Sequence, residues 1–459
     1  MSIRWRNNKM NHALPLFLVS LAFLALTGCD DDDDSPETSE LVVLHTSADA
    51  PNVNVVAGSD TLFSDVPFKS GGEVELETGT YAVAVDARLP GDQTQTVIGP
   101  ADIMIADDIR YYAAAVGTVA GGGPELLLVE QPESDLASGQ VRVRVAHLAA
   151  DAPAVDVYVT APGADLVSAS PIGSFSFRET LDAVDVPAGD YQIRVTAEGG
   201  STPVFDSGTI QLAADKSLFI GAVDNTNFGD SPISLIVEDD GVVTEIVDAD
   251  AGAGIRAVHN SYDAPNVDIY VDGVAATTDL AFPNAFPGSG NDPALDYASL
   301  PAGTTTVGVT ATGSPTVVAD AELDLVNGNA YTVLASNAVT ALELLPFEDD
   351  NRDVATAAKL RVIHGASQAP DVDVYAVAQG NACPGNADPV LTDVPYKASS
   401  GYLEVEAGDY TLCVTVAGTG TVAIGPLDVT LAAGSVYTVV AREVDDDASQ
   451  FTVTTLDEF

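Results

Sequence analysis

Residues 141–159 read VRVRVAHLAADAPAVDVYV. Strand side chains alternate between two faces, so Val141, Val143 and Val145 share one face and Arg142 and Arg144 take the other. His147 continues the valine row to the point where the D-A-P turn begins. After the turn the alternation resumes, with Val155, Val157 and Val159 opposed to Asp156 and Tyr158. The stretch reads as strand, tight turn, strand, each strand with one apolar face.

Three near-copies stand elsewhere: VLHTSADAPNVNVVA (43–57), AVHNSYDAPNVDIYV (257–271) and VIHGASQAPDVDVYA (362–376). Four of the five histidines fall in this element, one per copy: His45, His147, His259 and His364. Each copy is followed by a glycine turn and a strand, as in DVPAGDYQIRV (185–195) and EVEAGDYTLCV (404–414). The period is about 100 residues, far above the roughly 20–50 of solenoid repeats, so each copy predicts a domain with its own core. Alternation of period two runs throughout, turn signals recur, and no amphipathic helix is evident. The expected fold is all-β: four tandem immunoglobulin-like antiparallel β-sandwiches, at 41–130, 141–238, 255–347 and 359–459. Acidic stretches at 130–140, 238–254 and 347–358 read as flexible joints, and domains in series would project a tip away from a membrane.

The first 28 residues read as an export signal. Arg4, Arg6 and Lys9 precede the apolar run ALPLFLVSLAFLAL (13–26), which is too short for a comfortable span of about 20 residues. LTGC, ending at Cys29, resembles a bacterial lipoprotein signal, which implies cleavage before Cys29 and lipidation of its thiol. The tether that follows (29–40) contains five consecutive aspartates, which repel one another and stay solvated. The expected location is the bacterial cell envelope, lipid-anchored, at the periplasmic face or the cell surface. The whole chain has a formal net charge of −51, with 68 acidic against 17 basic residues. That balance argues against nucleic acid, which demands clustered cations. Cys383 and Cys413 are the two remaining cysteines, and an even pair in an exported chain predicts a disulfide. Closing that loop would stabilise by roughly 3–4 kcal/mol in the chain-entropy model.

The run V-R-V-x-H-x-x-x-D-A-P-x-V-D-V-Y-V, followed by P-A-G-x-Y-x-V-x-V, resembles the domain-of-unknown-function family numbered 4397. The resemblance covers nearly all of 41–459 and implies exported, often lipid-anchored, tandem β-sandwiches. It implies no activity. Asn54 and Gln368 depart from the pattern, standing where it has aspartates.

Parity puts every motif histidine in the core-facing row at the rim of its sandwich. A half-buried imidazole needs partners for both nitrogens. The turn offers backbone groups and the carboxylates of Asp49, Asp151 and Asp263, with Pro51, Pro153, Pro265 and Pro370 fixing φ. The expected role is a structural clamp. A metal ligand and a catalytic base are the rivals. A metal needs three or four converging ligands, and a Ser–His–Asp site would need a serine in every copy, whereas the residue two beyond the histidine runs Ser47, Ala149, Ser261, Ala366. No Gly-rich phosphate loop, HExxH, CxxC or nucleophile elbow is present, so no catalytic residue is assigned. Asp156 with Tyr158, Asp268 with Tyr270 and Asp373 with Tyr375 read as a solvent-side row available to a partner, since tyrosine is common at interfaces. Lys69 in VPFKSGG and Lys397 in VPYKASSG sit beside aromatics, as Arg178 does in FSFRET, while AFPNAFPGSGNDP (281–293) lacks a counterpart. No cofactor is required. Calcium is an alternative at Asp239/Asp240, Asp248/Asp250, Asp349/Asp350/Asp353 or Asp445–Asp447, although none fits a calcium-loop pattern. The reading is a non-enzymatic envelope surface, adhesion or scaffold protein, membrane-held by its lipid, with an extracellular protein or glycan as partner. A calcium-dependent or glycan-binding module is the alternative, and a hydrolase a remote one.

Overall fold

The computed structural model describes residues 37–288 and 297–456. The leader, Cys29 and the tether as far as residue 36 lie outside the described residues. The described residues form eight sheets, two for each repeat. In the first repeat one sheet has the order Ser70–Glu77, Thr38–His45, Ile109–Val116, Glu125–Pro132. The other has the order Asp60–Val66, Val53–Ala57, Gly79–Leu89, Gln93–Ile105. The later repeats follow the same plan. Among the described residues no helix is long and apolar enough to cross a membrane.

Most pairing is antiparallel, but the opening strand of each repeat lies parallel to a late strand of the same repeat. Leu41 pairs Tyr111 and His45 pairs Ala115 in this way, and the pattern recurs at Gln140–His147, Ala253–Asn260 and Ala358–His364. The whole second sheet serves as the crossover that a parallel pair needs. The second repeat runs past residue 238: Val242–Ile246 forms a fifth strand on Ile233–Asp239. The supposed joint at 238–254 is therefore partly sheet, because VVTEI alternates as a strand does. The opening strand of the first repeat likewise begins at Thr38, inside the stretch read as tether.

The valine rows fill the sandwiches as parity predicts. Val141, Val143 and Val145 pack with Val155, Val157 and Val195 between the two sheets of the second repeat. The opposite face of the same strands is also buried. Val42, Leu44 and Tyr112 of the first repeat pack on Ala146, Leu148 and Phe219 of the second, with the Tyr112 and Phe219 rings stacked at 4.6 Å. Val258 and Leu334 of the third repeat meet Ile363 and Val440 of the fourth. The opening sheets are thus covered on both faces, and Ala253–Asn260 is buried at every position.

Arginines of the opening sheets lie in these interfaces. Arg144 donates to Oε1 of Gln131 at 3.1 Å. At the matching place Arg361 lies 2.6 Å from Oδ1 of Asp349 and donates to the Glu348 carbonyl at 3.0 Å. Arg256 donates to Thr332 and to the Leu456 carbonyl. Arg110 is held by Glu40 and Glu73, and lies 3.4 Å from Glu238 of the second repeat. Burial first, with the neighbouring Glu73 and Asp239, pushes the Glu238 carboxyl up to about 7, against the opposing pull of the Gly241 amide and Arg110.

The two pairs also meet each other. Phe228 donates its amide to Gly328 and sets its ring edge-on to Tyr297 at 6.3 Å, joining the second repeat to the third. Arg352 donates to the carbonyls of Ala48 and Ala50 at 2.9 Å, and the Ala355 amide to that of Asp49 at 2.8 Å. These bonds return the 347–358 stretch to the first repeat, and Val354 and Ala357 within it are fully buried. The four repeats therefore close on one another instead of extending in series.

Removing one partner of a buried ion pair costs about 3–5 kcal/mol. Arg361→Ala should lower unfolding stability by that amount and separate a transition of the fourth repeat from the rest in urea titration. An unchanged single transition would show that the interface does not couple the repeats.

Candidate functional site

The repeat motif is assembled around the histidine. Nε2 lies 3.0 Å from the Pro51 carbonyl for His45 and 3.0 Å from Pro153 for His147. It lies 3.1 Å from Pro265 for His259 and 3.2 Å from Pro370 for His364. A carbonyl only accepts, so the Nε2 proton faces it and Nδ1 is left as an acceptor. All four rings are buried. Burial above all holds His45, His259 and His364 below the usual imidazole range, His45 at about 4. The proline carbonyl, not the turn aspartate, is the imidazole's partner.

The turn aspartates have other work. Asp49 accepts the amides of Val119 and Ala120 at 2.7 and 2.8 Å, and Asp263 accepts Val339 N at 2.7 Å. In the even repeats the direction reverses. Asp224 accepts the amides of Ala150 and Asp151, leaving Asp151 exposed, and Glu443 accepts that of Gln368 at 2.7 Å. Nδ1 follows the same alternation: Ser47 and Ser261 donate their amides to it at 3.4 Å in the odd repeats.

The row read as partner-facing is internal. Asp156, Tyr158, Asp268, Asp373 and Tyr375 are buried and Tyr270 is half-buried. Asp268 accepts the amides of Asp279 and Gly313, Asp373 those of Asp393 and Gly418, and Asp156 accepts the Gly199 amide at 2.8 Å and the Ser174 hydroxyl. Each carboxylate ties its strand to the neighbouring edge strand and to one turn, and Asn54 makes one such bond, to the Asp65 amide of its edge strand. Parity assigned the side of the strand correctly; it carried no information on what covers that side.

An aromatic ring stands edge-on to three of the histidines: Phe68 on His45, Phe282 on His259 and Tyr396 on His364, at 5.8–6.2 Å. The third repeat therefore does have the element that seemed missing. Its cation, Arg442, comes from the fourth repeat and lies 4.9 Å from the Phe282 ring, just as Arg352 lies over Phe68. Lys69 reaches Glu245 of the second repeat at 2.6 Å, and Lys397 reaches Glu343 of the third at 2.5 Å. The disulfide joins Cys383 to Cys413 with Cα atoms 6.1 Å apart, stapling the 379–390 loop to a central strand.

The acidic candidates for calcium are dispersed. Asp239 and Asp240 pair with Lys216. Asp248 accepts the amides of Asp206 and Asp250. Asp349 lies among Arg361, Tyr297 and Thr332, Asp350 pairs with Lys359, and Asp447 accepts from Ser449 and Gln450. Among the described residues no three His, Cys, Asp or Glu side chains converge as a metal site requires.

Where the repeats meet, a cleft of about 1360 Å3 opens. The first, second and third repeats and the 349–352 segment all contribute to it. Asp230, Asp250, Glu348 and Asp350 are exposed on its walls, with Lys69 and Arg352 beneath. No sequence signal pointed to it, because its walls come from segments nearly 300 residues apart.

A family profile described as "Domain of unknown function (DUF4397)" matches residues 39–158, 253–375 and 382–458. No curated protein sequence matches the chain. Among solved structures it is similar to the Bacillus anthracis TIE protein, at 10% identity over 88% of this chain and 68% of that one, with a TM-score of 0.14. It is similar to the fimbrial anchor protein Mfa2 from Porphyromonas gingivalis, at 15% identity over 46% of this chain and 99% of that one, with a TM-score of 0.13. It is also similar to the multi-modular glycogen-degrading pneumococcal virulence factor SpuA, at 8% identity over 84% of this chain and 38% of that one, with a TM-score of 0.16.

Two outcomes check the clamps. A histidine whose folded pKa is depressed binds its proton first in the unfolded chain, so its stabilisation is complete above the unfolded value and is lost as pH falls. For His45, moving from 6.5 to about 4, the loss between pH 7.5 and 5 is about 2 kcal/mol. Urea unfolding of His45→Gln should lack that share of the acid slope; an identical slope would contradict the clamp. Asp156→Ala removes a buried carboxylate's part-buried hydrogen bonds to the Gly199 amide and the Ser174 hydroxyl and should cost about 1–3 kcal/mol, the order of a hydrogen bond to a charged group, read as a lower urea midpoint.

Proposed function

The DUF4397 profile covers more than half of the chain, so the protein belongs to that family of domains of unknown function, and we propose that it is a non-enzymatic cell-envelope recognition or scaffold protein. In this reading Cys29 carries the lipid, the acidic tether spaces the body from the membrane, and the closed set of four sandwiches presents the cleft. What carries the reading is the use made of the repeated motif. Its histidines are buried and bonded to a proline carbonyl in every copy, and the strand aspartates of the second, third and fourth repeats are buried and bonded to backbone amides, which is a structural use of the motif.

The cleft is the recognition face. Its exposed walls carry carboxylates from the second and third repeats and the segment beyond, within a chain already strongly acidic. Such a surface attracts a cationic partner and repels anionic ones. The partner class is a basic segment of an extracellular protein. An adhesion or scaffold role follows from holding that segment at the envelope surface.

An oligolysine decapeptide should bind the full chain saturably, with affinity falling steeply between 50 and 500 mM salt (about a tenfold range set by screening). The triple change Asp230→Asn, Asp250→Asn, Glu348→Gln removes only three of many negative charges. It should nevertheless weaken binding at least tenfold. Equal binding by the variant and the natural chain would mean that the peptide reads overall charge and that the cleft is not the site.

A further inference from the structure

The second repeat does not fill its own core. A cavity of about 310 Å3 lies between its two sheets, where the corresponding space in the first repeat measures about 20 Å3. The cause is the pair of strands that close the sandwich edge. In the first repeat these are Asp60–Val66 and Ser70–Glu77. In the second they shrink to Gly173–Phe175 and Val184–Pro187, and Thr180, between them in sequence, forms an isolated bridge to Ala146 of the opening strand. Residues that would plug the edge are instead left at its mouth: Ile172 and Val184 line the cavity yet remain 39% and 42% exposed.

Apart from Phe175 and His147 the lining is aliphatic, with Val143, Val157, Val195 and Leu181 among its walls, and it includes no Lys, Arg, Asp or Glu. His147 is its polar exception. Nε2 is occupied by the Pro153 carbonyl, whereas Nδ1 is buried and has no partner among the described residues. The odd repeats give that atom a serine amide. An apolar cavity of about 150 Å3 stays dry and takes a molecule such as benzene, and ligand pockets begin near 300 Å3. Leaving such a space empty forfeits packing, and leaving a buried acceptor unpaired costs further.

We propose that the second repeat binds a small neutral amphiphile of the alkanol class, with its aliphatic chain among the valines and its hydroxyl donating to Nδ1 of His147. A carboxylate head is excluded by chemistry, since a buried charge without a counter-ion is strongly unfavourable and the cavity offers none.

The test is titration of the purified full chain with 1-octanol and with octanoate, against an Ala222→Leu variant whose added side chain occupies the cavity. Ala222 is buried and lines the space. The natural chain should bind one octanol saturably and melt at a higher temperature with it, and octanoate should bind at least tenfold more weakly. Ala222→Leu should lose octanol binding at least tenfold while keeping its circular dichroism. Partition into lipid or detergent carried by the anchor is common to both chains, so equal uptake by the two would overturn the proposal. Octanoate binding as tightly as octanol would overturn the neutral head. Should Ala222→Leu fail to fold, methyl resonances of Ile172 and Leu181 in the natural chain decide: selective, saturable shifts with octanol support the site, and their absence overturns it.

Discussion

A guanidinium withdrawn from water must find its acceptors inside the protein. That requirement organises this molecule. Arg144, Arg256 and Arg361 stand on opening strands whose other face already fills a sandwich. Their acceptors are Gln131, the Leu456 carbonyl and Asp349, each supplied by the adjoining repeat. Apolar contact between the opening sheets provides the area, and the arginines fix the register in which that area can be buried. Separating two repeats would expose an apolar face and free a charge at once.

The same economy explains the repeated motif. The imidazole holds the proline carbonyl, an acid of the turn or of the segment facing it holds the other's amides, and the strand aspartate holds an edge strand and a turn. These bonds satisfy the polar backbone where chain reversals are drawn into a buried rim. Recurrence in four copies therefore reflects a folding need. Whatever distinguishes one repeat from another, such as the shortened edge strands of the second, is where individuality resides.

Much of the fold could be read from alternation. The parity of VRVRVAH placed valines and histidine inward correctly, and the all-β reading and the cysteine pair stand in the structure. What parity could not supply was the covering of the other face. Arg142 and Arg144 look alike in sequence, yet Arg142 meets Asp185 within its own repeat and Arg144 an adjoining one. Asp156 seemed a surface residue for the same reason. The link from Arg352 to Ala48, about 300 residues apart, leaves no local trace, and the cleft it helps to frame was equally invisible. Val242–Ile246 was obscured by the acids around it, which suggested a joint where a strand was present.

The odd and even repeats are not interchangeable. Serine follows the histidine by two places in the first and third, alanine in the second and fourth, and the acid that secures the turn switches sides in step. The chain is accordingly two couples of one design, each mated face to face. Length variants of such an architecture would arise in steps of two, because an odd member out would be left with an unmated apolar flank and a stranded cation.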